Sequence, residues 1–220
     1  MSTHAFELVD GGLVRELPVD TALARWNKGD GTFWIDAGPM DRSTLEPVLD
    51  QLGVSEFVKT RCFRIGRSTI VLALPNATFA TLPIFADAAR TRRIYVAAVC
   101  VQRLLLTFRS DPLEDAERAY RRTEELELDD ATTSHLLAGL LVRRAAATGS
   151  VAREVRDELT RLNERMDADV TAVDPPYLEK LQRRVNLLNA VAEEQRQAFE
   201  LLAHAQSPGF DPSQVHAQLG

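Results

Sequence analysis

Cysteine and histidine, the side chains that most often carry catalysis or hold transition metals, are scarce in this sequence. The two cysteines, Cys62 and Cys100, share no metal-ligand spacing and offer no disulfide framework. Each therefore reads as a small buried hydrophobe in a reducing compartment. The four histidines, His4, His135, His204 and His216, fall in distant segments and read as surface or packing residues. There is no phosphate-cradling glycine loop, dinucleotide fingerprint, zinc-spaced histidine pair or nucleophile elbow. Gly66-Arg67-Ser68-Thr69 lacks the lysine and the spacing of a P-loop and is taken as a turn. The expectation is a protein that is not an enzyme and carries no catalytic cofactor.

A basic surplus is missing as well. The formal net charge of -6 argues against nucleic acid as the main partner, because phosphate binding needs an excess of Lys and Arg to displace counterions. Long apolar runs are also absent: the longest, residues 95–108, is broken by Gln102 and Arg103, whereas a membrane span needs about 20 predominantly apolar residues. Residues 1–10 lack the basic start and apolar stretch of a secretory signal, so a cytoplasmic chain is expected. With 45% hydrophobic and 26% charged residues, the composition is that of a folded, soluble protein rather than a disordered one.

What is present divides near residue 110. Before it, short apolar runs at 6–9, 32–36, 69–74, 94–101 and 104–108 are bounded by turn residues and read as strands. Residues 41–52 place Leu45, Val48, Leu49 and Leu52 at helical spacing, with Gly53 where a helix would stop. Alternating strands and helices favour a layered α/β domain with a mixed sheet. The segment 61–74 is expected to be a hairpin reversing at Gly66-Arg67-Ser68, while no equally clear turn marks Gln102-Arg103.

After Asp111-Pro112 the sequence is written for helices. Residues 113–126 form one expected helix and 131–173 a much longer one, with Gly149 as its expected weak point. Val151, Val155, Leu159, Leu162, Met166, Val170 and Val173 share one face of it. Leu178, Leu181, Val185, Leu188, Ala192, Gln195, Phe199 and Leu202 then make a heptad seam interrupted by one glutamine. Between the two stripes, Asp174-Pro175-Pro176 stops one helix and starts the next, with Asp174 suited to cap it, so the pair is antiparallel. The expected organisation is an α/β sheet domain over 1–110, a helical part with a long antiparallel hairpin over 111–206, and a tail over 207–220.

Hard cations take carboxylate oxygens, so acidic clusters are the only candidates for metal chemistry. One holds Glu124, Glu125, Glu127, Asp129 and Asp130; the other, Asp167, Asp169 and Asp174, sits at the hairpin tip. Neither has a diagnostic spacing, and helix capping and solubility are the first reading of both, ahead of ion binding.

Trp34-Ile35-Asp36 at a strand end, a helix closing on Leu52-Gly53, the strand Leu105-Leu106-Thr107-Phe108 and two long helices, in that order, resemble the cytosolic domain of CorA-type divalent-cation transporters. The resemblance spans nearly the whole chain. Glu194-Gln195-Arg196 is similar to a stretch reading Pro-Gln-Arg in the ZntB zinc branch, with Glu194 in place of the proline, a slight lean toward zinc. The family continues into a stalk helix, a Gly-Met-Asn signature and two membrane spans, and this sequence stops at Gly220, so residues 207–220 would be the approach to the stalk. The resemblance implies a regulatory, ion-sensing domain on the cytoplasmic side of the inner membrane. It also implies a homo-oligomer, a pentamer in the full-length family, with Mg²⁺, Co²⁺ or Zn²⁺ as regulatory ions. Asp167, Asp169 and Asp174 are the residues offered for such ions. The competing readings are a hairpin module that oligomerises or docks a partner helix without metals, and an enzyme of unrecognised type.

Overall fold

The computed structural model describes residues 3–9, 14–37, 42–85, 92–109, 132–169, 174–207 and 210–213. Seven strands form one mixed sheet in the order β2-β1-β3-β7-β6-β5-β4. They are β1 (His4–Leu8), β2 (Val14–Leu17), β3 (Thr32–Ala37), β4 (Ile70–Ala73), β5 (Thr78–Phe85), β6 (Arg93–Val101) and β7 (Leu104–Arg109). Every pairing is antiparallel except the central one, where β3 and β7 run parallel with Trp34 beside Leu105 and Asp36 beside Thr107.

Both faces of the sheet are covered, which is why its central strands read as nearly continuous apolar runs. Phe33, Ile35, Ala97, Val99, Leu104 and Leu106 meet helices α1 (Val19–Asn27), α2 (Arg42–Gln51) and α3 (Glu56–Phe63) in one core. Gly53 ends α2 as the sequence predicts. At φ 66° it lets its own N–H reach the Asp50 carbonyl while Val54 N–H reaches Leu49. The opposite face buries Trp34, Leu82, Ala98 and Leu105 under Leu136, Leu137, Leu140 and Leu141 of α4 (Thr133–Ala168) and Ala198 and Leu202 of α5 (Pro175–Ala203).

Helix α4 is about 54 Å long at 1.5 Å per residue. Its first turns lie on the sheet; beyond Thr148 it packs mainly against α5, through Val151, Val155, Leu162, Leu181 and Leu188, with Phe85 of β5 against the same cluster. Thr132 caps its start by accepting the His135 N–H at 3.1 Å. The helix runs unbroken through Gly149. After α5 the chain folds back: Phe210 is buried in the core beside α4, and Asp211 N–H donates to Ser134 Oγ at 2.9 Å.

Several expectations are corrected. Residues 61–74 are not a hairpin, because Arg61 to Phe63 complete α3, whose start Ser55 caps; β4 turns back on β5 at Pro75-Asn76 instead. Gln102-Arg103 is a tight two-residue turn after all, with Arg103 at φ 64°. Asp174 makes no side-chain cap; its backbone carbonyl accepts from Tyr177 and Leu178. In the second stripe Ala192 is exposed, and Val191 and Ala198 are buried instead, because this half of α5 faces β5 rather than α4. The expected helix at 113–126 and the cluster from Glu124 to Asp130 lie outside the described residues. No helix among those described is long and apolar enough to cross a membrane.

Candidate functional site

Polar chemistry collects at three places, the first being the parallel seam of the sheet. Asp36 and Arg109, each only 3% exposed, face each other across β3 and β7. Arg109 donates Nη2 and Nε to the two carboxylate oxygens at 2.6 and 3.3 Å, and Thr107 adds its hydroxyl at 2.8 Å. The Trp34 indole N–H in turn donates to Thr107 Oγ1 at 3.0 Å. Burial pushes the Asp36 carboxyl above its ordinary value, and the Arg109 charge pulls it back. Asp36 spends its oxygens on groups of the sheet itself, so this cluster fixes the seam rather than presenting a site.

The second place joins the hairpin to the sheet. β4 pairs β5 only as far as Thr81, leaving the outer side of residues 82–85 without a strand partner. Pro83 occupies this stretch, where a residue with no N–H costs the ladder nothing. Its carbonyl is taken by the buried Gln195, whose Nε2 donates at 3.0 Å. Next to it, Glu194 accepts from Thr69 Oγ1 at 3.0 Å, Arg93 Nη1 at 2.8 Å and Tyr95 Oη at 2.8 Å. Burial, with the Glu194 carboxylate adding to it, pushes the Tyr95 hydroxyl up to about 12, so it stays a donor. One helix turn of α5 is thereby bolted across β4, β5 and β6.

The heptad pattern carried this signal, since a glutamine in an apolar seam needs a polar partner when buried. Its partner, a strand carbonyl 112 residues away, was invisible. Glu194 supplies the three-way anchor that seats α5 on the sheet.

The third place is the hairpin tip. Asp167 lies in the last turn of α4, Asp169 caps that helix with its N–H on the Arg165 carbonyl, and Asp174 precedes α5; all three are exposed. Among the described residues no group of three or more His, Cys, Asp or Glu side chains is placed to hold a metal, so one protomer does not bring these three together. Further down, Arg184 ties the helices by reaching Glu158 at 2.7 Å and Glu154 at 3.1 Å, while Tyr177 Oη donates to Glu158 at 2.9 Å.

A mixed sheet roofed by a long hairpin is matched in sequence as well as in shape: residues 29–217 match the family described as CorA-like Mg²⁺ transporter protein. The chain belongs to the CorA-like family. Three solved structures share its fold. The full-length CmaX protein superposes with a TM-score of 0.82 at 17% identity, over 98% of this chain and 67% of that one. The complete CorA magnesium transporter from Methanocaldococcus jannaschii gives 0.72 at 16%, over 100% and 68%. The soluble domain of CorA from the same organism gives 0.71 at 15%, over 99% and 85%. At these identities the likeness is one of fold. No curated protein matches the sequence. Within the CorA-like fold, the sheet and hairpin seen here are the part that the soluble-domain structure isolates, with α4 and α5 as its two long helices.

Proposed function

We propose that this chain is the cytosolic regulatory part of a CorA-like divalent-cation transporter, in which a cation biases the position of the α4–α5 hairpin. The observation that carries the reading is the family match over residues 29–217 on a mixed sheet roofed by this hairpin. The outer half of the hairpin packs mainly on itself, while α5 is bolted to the sheet through Glu194 and Gln195. Any change of angle or partner at the tip is therefore passed down one stiff rod to the sheet. Asp167, Asp169 and Asp174 supply oxygen donors of the kind Mg²⁺ accepts, and carboxylates of neighbouring subunits would complete the coordination in a homo-oligomer. A cation that binds one arrangement of subunits better than another shifts the population toward it.

The test is a titration of chelator-stripped protein with Mg²⁺, Co²⁺ and Zn²⁺, following thermal midpoint and mass in solution together. At a hundredfold excess over Kd a ligand of the folded state stabilises by about 2.7 kcal/mol, which is several degrees in a chain of this size. The Asp167→Asn, Asp169→Asn, Asp174→Asn triple variant should lose that response while keeping its metal-free midpoint. A wild-type response flat for all three ions overturns the sensing role and favours a hairpin that associates without metals.

A further inference from the structure

At the end of the sheet marked by the Gln102-Arg103 turn, four separate segments line an open surface pocket of about 340 Å³. That volume is at the small end of the range for small-molecule sites. Trp26 and Asn27 come from the end of α1, Gln51 from the end of α2, Asn76 from the β4–β5 turn, and Gln102 and Arg103 from the β6–β7 turn.

Three of these segments are tied together, α2 to α1 by Gln51 Nε2 donating to Asn27 Oδ1 at 2.6 Å. Trp26 Nε1 donates to the Gln102 carbonyl at 3.3 Å, and the Arg103 guanidinium donates to the Gly29 carbonyl. Gly29 closes α1 at φ 75°, a conformation that favours glycine, and a Cβ there would stand 3.2 Å from Arg103 Nη1, so the guanidinium lies close against this turn. Arg103 is itself the only non-glycine residue at positive φ among those described. Such a conformation persists where its surroundings hold it, and here they aim a cation at a concavity.

Among the described residues, the Arg103 guanidinium has no carboxylate partner, and the side-chain amides of Asn76 and Gln102 make no hydrogen bond. The pocket wall carries no acid, in a chain whose net charge is -6. The available parts are an indole, several carboxamides that can donate or accept, and one guanidinium with N–H groups to spare.

We propose that this pocket binds a small planar anion, its ring against Trp26, its polar edge on the carboxamides and its carboxylate or phosphate on Arg103. The sequence contains two tryptophans, and Trp34 is fully buried, so the Trp26 indole N–H resonance of ¹⁵N-labelled protein is a local reporter. The probes are adenosine monophosphate and benzoate, with adenosine and inorganic phosphate as the arms lacking the charge and the plane.

Both planar anions should shift Trp26 saturably and leave Trp34 still; adenosine should bind about tenfold more weakly or worse, the worth of one hydrogen bond to a charged group, and phosphate, which keeps the charge but lacks the ring against Trp26, should also bind more weakly. Arg103→Gly accepts the positive φ, so it should keep the thermal midpoint and lose the response. No shift with either planar anion at millimolar concentration, an unchanged response in Arg103→Gly, or equal binding of phosphate or adenosine overturns the proposal.

Discussion

Asp36 and Arg109 show what a single buried pair commits a fold to. Removing charge from one member leaves the other uncompensated in a dry interior, so Asp36→Asn is expected to cost about 3–5 kcal/mol in urea unfolding. Thr107→Val, which strands the Trp34 N–H, should cost about 1–3 kcal/mol. Glu7 makes a different commitment. It is buried on β1 between Arg25 of α1 and Arg15 of β2, and the Arg25 hydrogen bond above all holds its carboxyl below the ordinary value of 4.5. The folded state thus binds this proton less readily than the unfolded chain. The stabilisation is complete above about 4.5 and fades as pH falls through the depressed value. Glu7→Gln should flatten the acid side of the stability profile in that window, measured by urea midpoints at stepped pH.

Among the elements, α4 offers a clean test of intrinsic propensity. Gly149 sits within the helix with no atom within 4 Å of where a Cβ would be, and its φ is not positive. Gly149→Ala should therefore raise stability by about 0.5–1 kcal/mol, read from the denaturant midpoint at constant slope. The long helices were legible because their apolar stripes repeat over many turns, and β3, β6 and β7 because strands buried on both faces read as apolar runs. β5 was missed because Pro83 argues against a strand until it is known that β4 has stopped beside it. α1 and α3 were missed because nine and eight residues are too few to show a period. The anchor at Glu194 and Gln195 was not legible, since its partners come from β5, β6 and the residue before β4, all far away in sequence.

For the molecule as a whole, burial is unevenly shared, and stability should follow it. The sheet is packed on both sides, whereas the outer hairpin has one narrow seam, with Leu159 and Leu178 still 38% and 39% exposed. Amide hydrogen exchange should be slowest in β6 and β7 and fastest in the two helix ends at the tip, with opening there well below the global free energy. Glu194→Ala should extend the fast region down α5 to residue 198 without speeding β7. Equal acceleration of both would mean that the anchor supports the entire fold instead of the hairpin alone.

The lone parallel seam also bears on how the chain reaches this state. β2, β1 and β3 form one antiparallel group of near neighbours in sequence, and β4 to β7 form another. Each can assemble by short-range turns, but joining them brings residues 32–37 to residues 104–109, a long loop closure whose entropy is lost before any contact rewards it. Two half-sheets would thus wait for each other, and a chain still emerging from the ribosome holds an open edge at β3 until β7 arrives. A join slipped by one residue sets Asp36 beside an apolar neighbour, Leu106 or Phe108, in place of Thr107, so the buried pair works as a proofreader of the final docking step.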